Sequence, residues 1–225
     1  MLQALAGYDP RDIASVRAAV PDYSSALQRR TSALRVGVPR TFFYENVDPQ
    51  ILDAIERALR VLRDLTRSMR EVDLPARPQA RPVFVEAYAY HADHLVEKRA
   101  LYAASTLERI MQGADVAATA YAEVLYQLTL GRKAIAAVFE EVDVLVTPTL
   151  AQLPVSIDAA QESPLEVTQT LIRNSAPFNF YAIPTISIPC GFSREGLPIG
   201  LQISGRALGE VEVLAVAHAY EQATD

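Results

Sequence analysis

The sequence predicts an α/β fold, part of a mixed, mostly parallel twisted sheet flanked by helices. Three observations carry this. Short apolar runs at Leu34–Val38 and Asp143–Val146 are each stopped by proline, at Pro39 and at Thr147-Pro148-Thr149. An amphipathic helical segment lies between the first run and a second strand-like run at Met69–Leu74. Strand, helix, strand is the building block of a parallel sheet with a crossover connection. Two further strand-like runs, Ile183–Pro189 and Ile199–Ser204, flank the turn Arg194-Glu195-Gly196.

Taken in order, residues 1–33 are turn-rich, with Gly7, Pro10 and Pro21. Asp48-Pro49 is a helix start, an N-cap carboxylate followed by proline at the first helical position. Ile51, Ile55, Ala58, Leu59 and Leu62 then recur on one face, and Arg57, Arg60, Asp64 and Arg67 on the other. Residues 75–82 form a Pro-rich connection. Two long helices are predicted over 83–111 and 115–141, broken at Gly113. After the strand at 143–146 come a loop rich in Pro, Ser and Gln, a short helix near 164–174, the two late strands and a final helix over Val211–Tyr220.

Composition narrows the functional classes. With 225 residues, half of them hydrophobic, the chain can bury one large core. A net charge of −6 argues against a general phosphate-binding surface, so nucleic acid is not an expected partner. The single cysteine, Cys190, excludes an intrachain disulfide framework and fits a reducing compartment. No basic leader followed by an apolar stretch opens the chain, and no run of about 18 apolar residues suggests a membrane span. The expected location is cytoplasmic, without membrane contact.

Several chemistry-bearing groups have plain readings. His91 and His94 stand three apart on a predicted helix, but a zinc site needs about four ligands, and no third histidine or cysteine is near. Cys190 ends a predicted buried strand, where a free thiol is a small hydrophobe. Arg57, Arg60, Arg63, Arg67 and Arg70 could form an anion stripe, but Glu56, Asp64, Glu71 and Asp73 interleave with them, as on a solvated face.

The run Pro177–Glu221, PFNFYAIPTISIPCGFSREGLPIGLQISGRALGEVEVLAVAHAYE, is similar to the C-terminal signature of amidase-signature enzymes. Four other blocks resemble that family in the same order: LAGYDPRD at 5–12, LRVGVPRTFF at 34–43, EVDLP at 71–75 and FEEVDVLVTPT at 139–149. The resemblance covers nearly the whole chain, so residues 1–225 look like the C-terminal portion of such a domain. Ala182 departs from the pattern, standing where the family often has glycine; Thr66-Arg67 stand where it commonly has Gly-Ala.

The resemblance implies hydrolysis of carboxamide C–N bonds by a serine, a second serine in a cis peptide and a lysine, with no metal or organic cofactor. Backbone amides of a Gly/Ser-rich loop would hold the oxyanion. No such loop is recognisable here. The chain has 9 glycines and no Gly-Gly pair, its one Ser-Ser pair is Ser24-Ser25, and its only lysines are Lys98 and Lys133. By resemblance that machinery lies before Met1, and no catalytic residue is assigned within the chain, which alone is expected to be inactive. Thr147, Pro148, Thr149, Phe178, Asn179 and Gln202 are the residues expected to bind a small-molecule amide in the intact parent; turn formation and loop hydrogen bonding is the plainer reading of each. Half of a shared sheet should also leave an exposed face through which the chain self-associates. Two other functions fit the blocks: a non-catalytic binding module or subunit, and the amidase subunit of a tRNA-dependent amidotransferase. The turn sequence Pro10-Arg11-Asp12, where that subunit is rich in Ser and Thr, favours a free-standing amidase.

Overall fold

The computed structural model describes residues 1–76 and 81–224, without the side chains of 81–83. The Pro-rich connection expected over 75–82 therefore lies mostly outside the described residues. Two single-turn helices, α1 (Leu2–Leu5) and α2 (Tyr23–Ala26), precede the sheet. Then come β1 (Arg35–Val38), α3 (Pro49–Leu65), β2 (Ser68–Glu71), α4 (Arg81–Glu97), α5 (Ala104–Met111), α6 (Ala118–Glu141) and β3 (Val144–Pro148). The chain closes with α7 (Ile157–Glu162), α8 (Pro164–Ile172), α9 (Ala176–Tyr181), β4 (Thr185–Phe192), β5 (Pro198–Gly205) and α10 (Glu210–Thr224).

The five strands are ordered β2-β1-β3-β5-β4. β1 pairs parallel with β2 and β3, whereas β5 is antiparallel to both β3 and β4, so four of the five described strands run the same way. This is the mixed, mostly parallel sheet that the strand–helix–strand pattern predicts.

Helix α3 forms for the reasons its sequence gives. The Asp48 carboxylate accepts a 2.8 Å bond from the Gln50 amide, and Pro49 opens the first turn. Its apolar stripe, with Ala54 added, is buried against Val36, Val38, Val144, Val146, Leu201 and Ile203 on one sheet face, which α10 also covers. The strand period of two sends the alternate residues to the other face. There Leu145 joins Phe43, Ile135, Phe178 and Tyr181 in a second apolar cluster beneath α6 and α9. Gly37 is required on that face: a Cβ there would stand 2.9 Å from Leu145 Cδ2 and 3.0 Å from Val72 Cγ2.

The structure corrects the helix expected over 83–111. It ends at Glu97, passes through a 3-10 turn at Arg99–Leu101 and resumes as α5. The Tyr102 hydroxyl lies 2.9 Å from His91 Nδ1, so the chain folds back onto α4 instead of continuing along its axis. The expected break at Gly113 is present, and a Cβ there would lie 1.9 Å from the Phe84 carbonyl oxygen of α4. Helices α7 and α9 replace stretches with no expected helix; Ser156 caps α7 by accepting from the Ala159 amide. The strand expected at 183–189 runs instead to Phe192 and is an edge strand, with Thr185, Ser187 and Pro189 exposed.

Ala182 ends α9 in the left-handed region, at φ 56° and ψ 48°. An L-residue there costs about 1–2 kcal/mol, and glycine avoids that cost while losing some unfolded-state entropy. Ala182→Gly is expected to raise stability by about 0.5–1 kcal/mol, seen as a higher urea midpoint. An unchanged or lower midpoint would show that this turn carries no strain.

Candidate functional site

At the carboxyl end of β3 the register aligns three polar side chains across three strands. Thr147 pairs with Gln202 of β5, and Gln202 pairs with Ser187 of β4. The preceding row, Val146, Ile203 and Ile186, points into the α3–α10 core, so the polar row takes the opposite face. Gln202 is 2% exposed, and its Nε2 donates to Thr147 Oγ1 at 2.9 Å and to the Asn174 carbonyl at 3.2 Å. Asn174 is wholly buried. Its Nδ2 donates to the carbonyls of Phe43 and Pro148, both at 3.0 Å, and its Oδ1 accepts from the Arg173 guanidinium at 3.1 Å. Among the described residues no buried side-chain polar atom lacks a partner. The cluster is therefore a satisfied network, which favours a single rigid arrangement.

Above it lies a pair that solvent can reach. Thr149 Oγ1 is 2.6 Å from Ser187 Oγ, with Ser187 exposed on the edge strand. Gly200 sits directly beneath, where a Cβ would come within 2.7 Å of both oxygens. Glycine here leaves room for the two hydroxyls to meet. Beside the cluster the Tyr44 hydroxyl donates to the Val146 carbonyl at 3.0 Å. Burial pushes its phenol up, so it stays protonated as a donor.

The six residues singled out in the sequence thus separate. Thr147, Pro148 and Gln202 are joined through Asn174, and Thr149 lies one step further out in the hydroxyl pair. Phe178 is 2% exposed and packs on Phe43, with ring centroids 5.2 Å apart. Asn179 is exposed on α9, where its carbonyl accepts from the Ala182 amide that closes the helix. Sequence reasoning missed Asn174 and Ser187. Asn174 lies just ahead of the PFN run, and Ser187 is the second of the two hydroxyl residues of PTISIP.

Lys98 and Lys133 are both exposed, just past α4 and on α6. His94 is exposed, its ring 6.5 Å from that of His91, and the described residues contain no group of three or more His, Cys, Asp or Glu placed to hold a metal ion. Along the arginine stripe, Arg57, Arg60, Arg63 and Arg67 are exposed, and Arg70 pairs with Glu141. Among the described residues no helix is long and apolar enough to cross a membrane.

Cys190 lies within β4, at the irregularity between Pro189 and Gly191, and not at the strand's end. Its Sγ donates to the Ile199 carbonyl at 3.4 Å, and burial pushes the thiol up to about 11. Only the thiolate attacks an alkylating reagent. At pH 8 native labelling is therefore expected to run at least ~100-fold slower than in denaturant, and to stay slow until the pH approaches the folded value. Equal rates in the two states would mean that this part of β4 is open.

A five-stranded mixed sheet with helices on both faces, and hydroxyl and amide side chains gathered at the end of β3, defines an α/β protein of the amidase-signature class. The chain belongs to the amidase family, whose family model matches residues 1–214. It is 35% identical to an amidase of Pseudomonas putida over 237 residues, covering all of this chain and 50% of that protein. It is 34% identical to one subunit of the glutamyl-tRNA(Gln) amidotransferase of Brevibacillus brevis over 251 residues, covering 99% of this chain and 51% of that one. The fold is similar to a bacterial aryl acylamidase of the amidase-signature family, with a TM-score of 0.78 and 27% identity over 97% of this chain and 49% of that one. The chain thus spans about half the length of the curated relatives it matches.

Proposed function

We propose that this chain forms the C-terminal half of a carboxamide hydrolase and supplies one wall of its amide-binding site. The observation that carries the reading is the row Thr147–Gln202–Ser187 at the carboxyl end of β3, built from sequence blocks that match the family in order. Open α/β sheets bind ligands beyond the carboxyl ends of their strands. The Thr149–Ser187 hydroxyls can both donate and accept, which suits the N–H and C=O groups of an amide. The buried Asn174–Gln202 network holds the strand ends in place behind them. In this reading the nucleophilic serine, the relay serine, the lysine and the oxyanion loop belong to the other half of the fold. That half also pairs with β4, whose outer edge is free of strand partners among the described residues. In its absence the same edge takes up a second copy of the chain. The free cysteine suits work in the cytosol.

The amidotransferase reading draws on relatives of nearly equal identity. Against it stands the 5–12 turn, where Arg11 pairs with Asp9 at 2.7 Å and no Ser/Thr-rich segment follows. The test is to co-express the chain with the half of the Pseudomonas putida amidase that it does not cover. A co-purifying complex that releases ammonia from simple aryl or alkyl amides supports the hydrolase. A stable complex that binds amides and hydrolyses none would replace it with the binding module.

A further inference from the structure

We infer that the cleft between α6 and the α9–β4 turn is a second small-molecule site, selective for compact organic carboxylates. The cleft measures about 390 Å³, within the range of ligand pockets. Its floor is apolar, formed by Ile135 and Phe139 of α6 and by Ile183. Its charged groups are Arg132, Arg206 and Glu140; the hydroxyl of Tyr181, which also lines it, donates to the Pro75 carbonyl at 2.8 Å. It lies at the end of the sheet where β4 enters and β5 leaves, and none of Thr147, Thr149, Asn174, Ser187 and Gln202 lines it, so it is distinct from the site above.

The charge pattern selects the ligand. The chain as a whole carries −6, yet this cleft is lined by two guanidiniums and one carboxylate. Arg132 Nε donates to the Phe180 carbonyl at 3.0 Å, which fixes its plane and leaves its Nη donors for another acceptor. Arg206 follows β5 directly and is exposed. A guanidinium matches a carboxylate with two parallel bonds, and an apolar floor beneath it adds affinity for a ring or short alkyl body. A neutral amide of the same shape gains the floor but not the charge. Amide hydrolysis converts one into the other, so this site would separate product from substrate by charge. The binding itself does not depend on the hydrolase reading.

Phenylacetate and its near-isostere phenylacetamide provide the test, titrated into the isotope-labelled chain and followed by the methyl resonances of Ile135 and Ile183. Phenylacetate is expected to shift both and to bind at least ~10-fold more tightly than phenylacetamide, as a charge-assisted bond is stronger than a neutral one. Arg206→Gln should weaken phenylacetate about 10-fold and leave phenylacetamide unchanged. Glu140→Gln removes the one repelling charge and should tighten phenylacetate about 2- to 5-fold, a gain that misfolding cannot imitate. Equal affinity for the two probes, shifts confined to other residues, or no response to either substitution would overturn the assignment.

Discussion

Phenylacetamide incubated with the 225-residue chain alone is expected to stay intact, with turnover about a million-fold below that of the reconstituted hydrolase. Removing the nucleophile of a serine hydrolase costs on that order, and what remains depends on an intact oxyanion hole. The groups present do not replace it. The hydrogen-bond partner of the Ser187 hydroxyl is Thr149, 2.6 Å away, a neutral hydroxyl that cannot act as a general base at pH 7. Neither exposed lysine lies on an element of that site. The Cys190 thiol, pushed up to about 11 by burial, is almost wholly protonated. Nor does a Gly-Gly pair provide converging backbone amides. Ammonia release is the measurement, with chain alone, complement alone and both together. Hydrolysis by the isolated chain, abolished by a point change within it, would sink the proposal that the nucleophile comes from elsewhere and redirect the search to Ser187 or Cys190.

How much of this was legible in the sequence depends on how local each cause is. Helix α3 could be read outright, because its cap, its first-turn proline and its apolar stripe lie within 15 consecutive residues, Asp48 to Leu62. The strands at 34–38 and 143–146 were equally plain as apolar runs, but only Pro39 ends its strand; β3 runs on through Pro148, which pairs with Leu201. The end of α4 was not, because the His91–Tyr102 contact that turns the chain is tertiary and leaves no mark in the periodicity. The site behaved the same way. Thr147 and Gln202 were visible as polar residues in matched blocks. Their common anchor, Asn174, lies 28 residues before Gln202 and bonds a carbonyl 131 residues before itself, so no local pattern announces it. Ser187 was hidden for another reason: a polar residue at every second position is what any half-exposed strand shows.

Asn174 is also a position where a single polar-to-apolar substitution is expected to cost much stability. Asn174→Ala should lower the unfolding free energy by about 3 kcal/mol. Two Nδ2 bonds disappear, from the carbonyls of Phe43 and Pro148 at 3.0 Å, and both acceptors face an interior that water does not reach. A buried carbonyl left short costs about 1–3 kcal/mol, and the truncation leaves a cavity as well. Asn174→Asp separates the terms: it keeps the shape and the bond from Arg173 to Oδ1 but turns a donor toward two carbonyls into an acceptor, so it should still destabilise although it leaves no cavity. Asn179→Ala is the control. That side chain is exposed five residues away, and its loss should change stability by no more than about 0.5 kcal/mol. Urea unfolding of the three variants decides the matter. A loss below about 1 kcal/mol for Asn174→Ala would mean that the 39–46 loop and the end of β3 hold their places without it. The same substitution frees the Pro148–Thr149 step from its anchor. In the reconstituted hydrolase its effect should therefore reach the Thr149–Ser187 pair, although Asn174 touches neither hydroxyl.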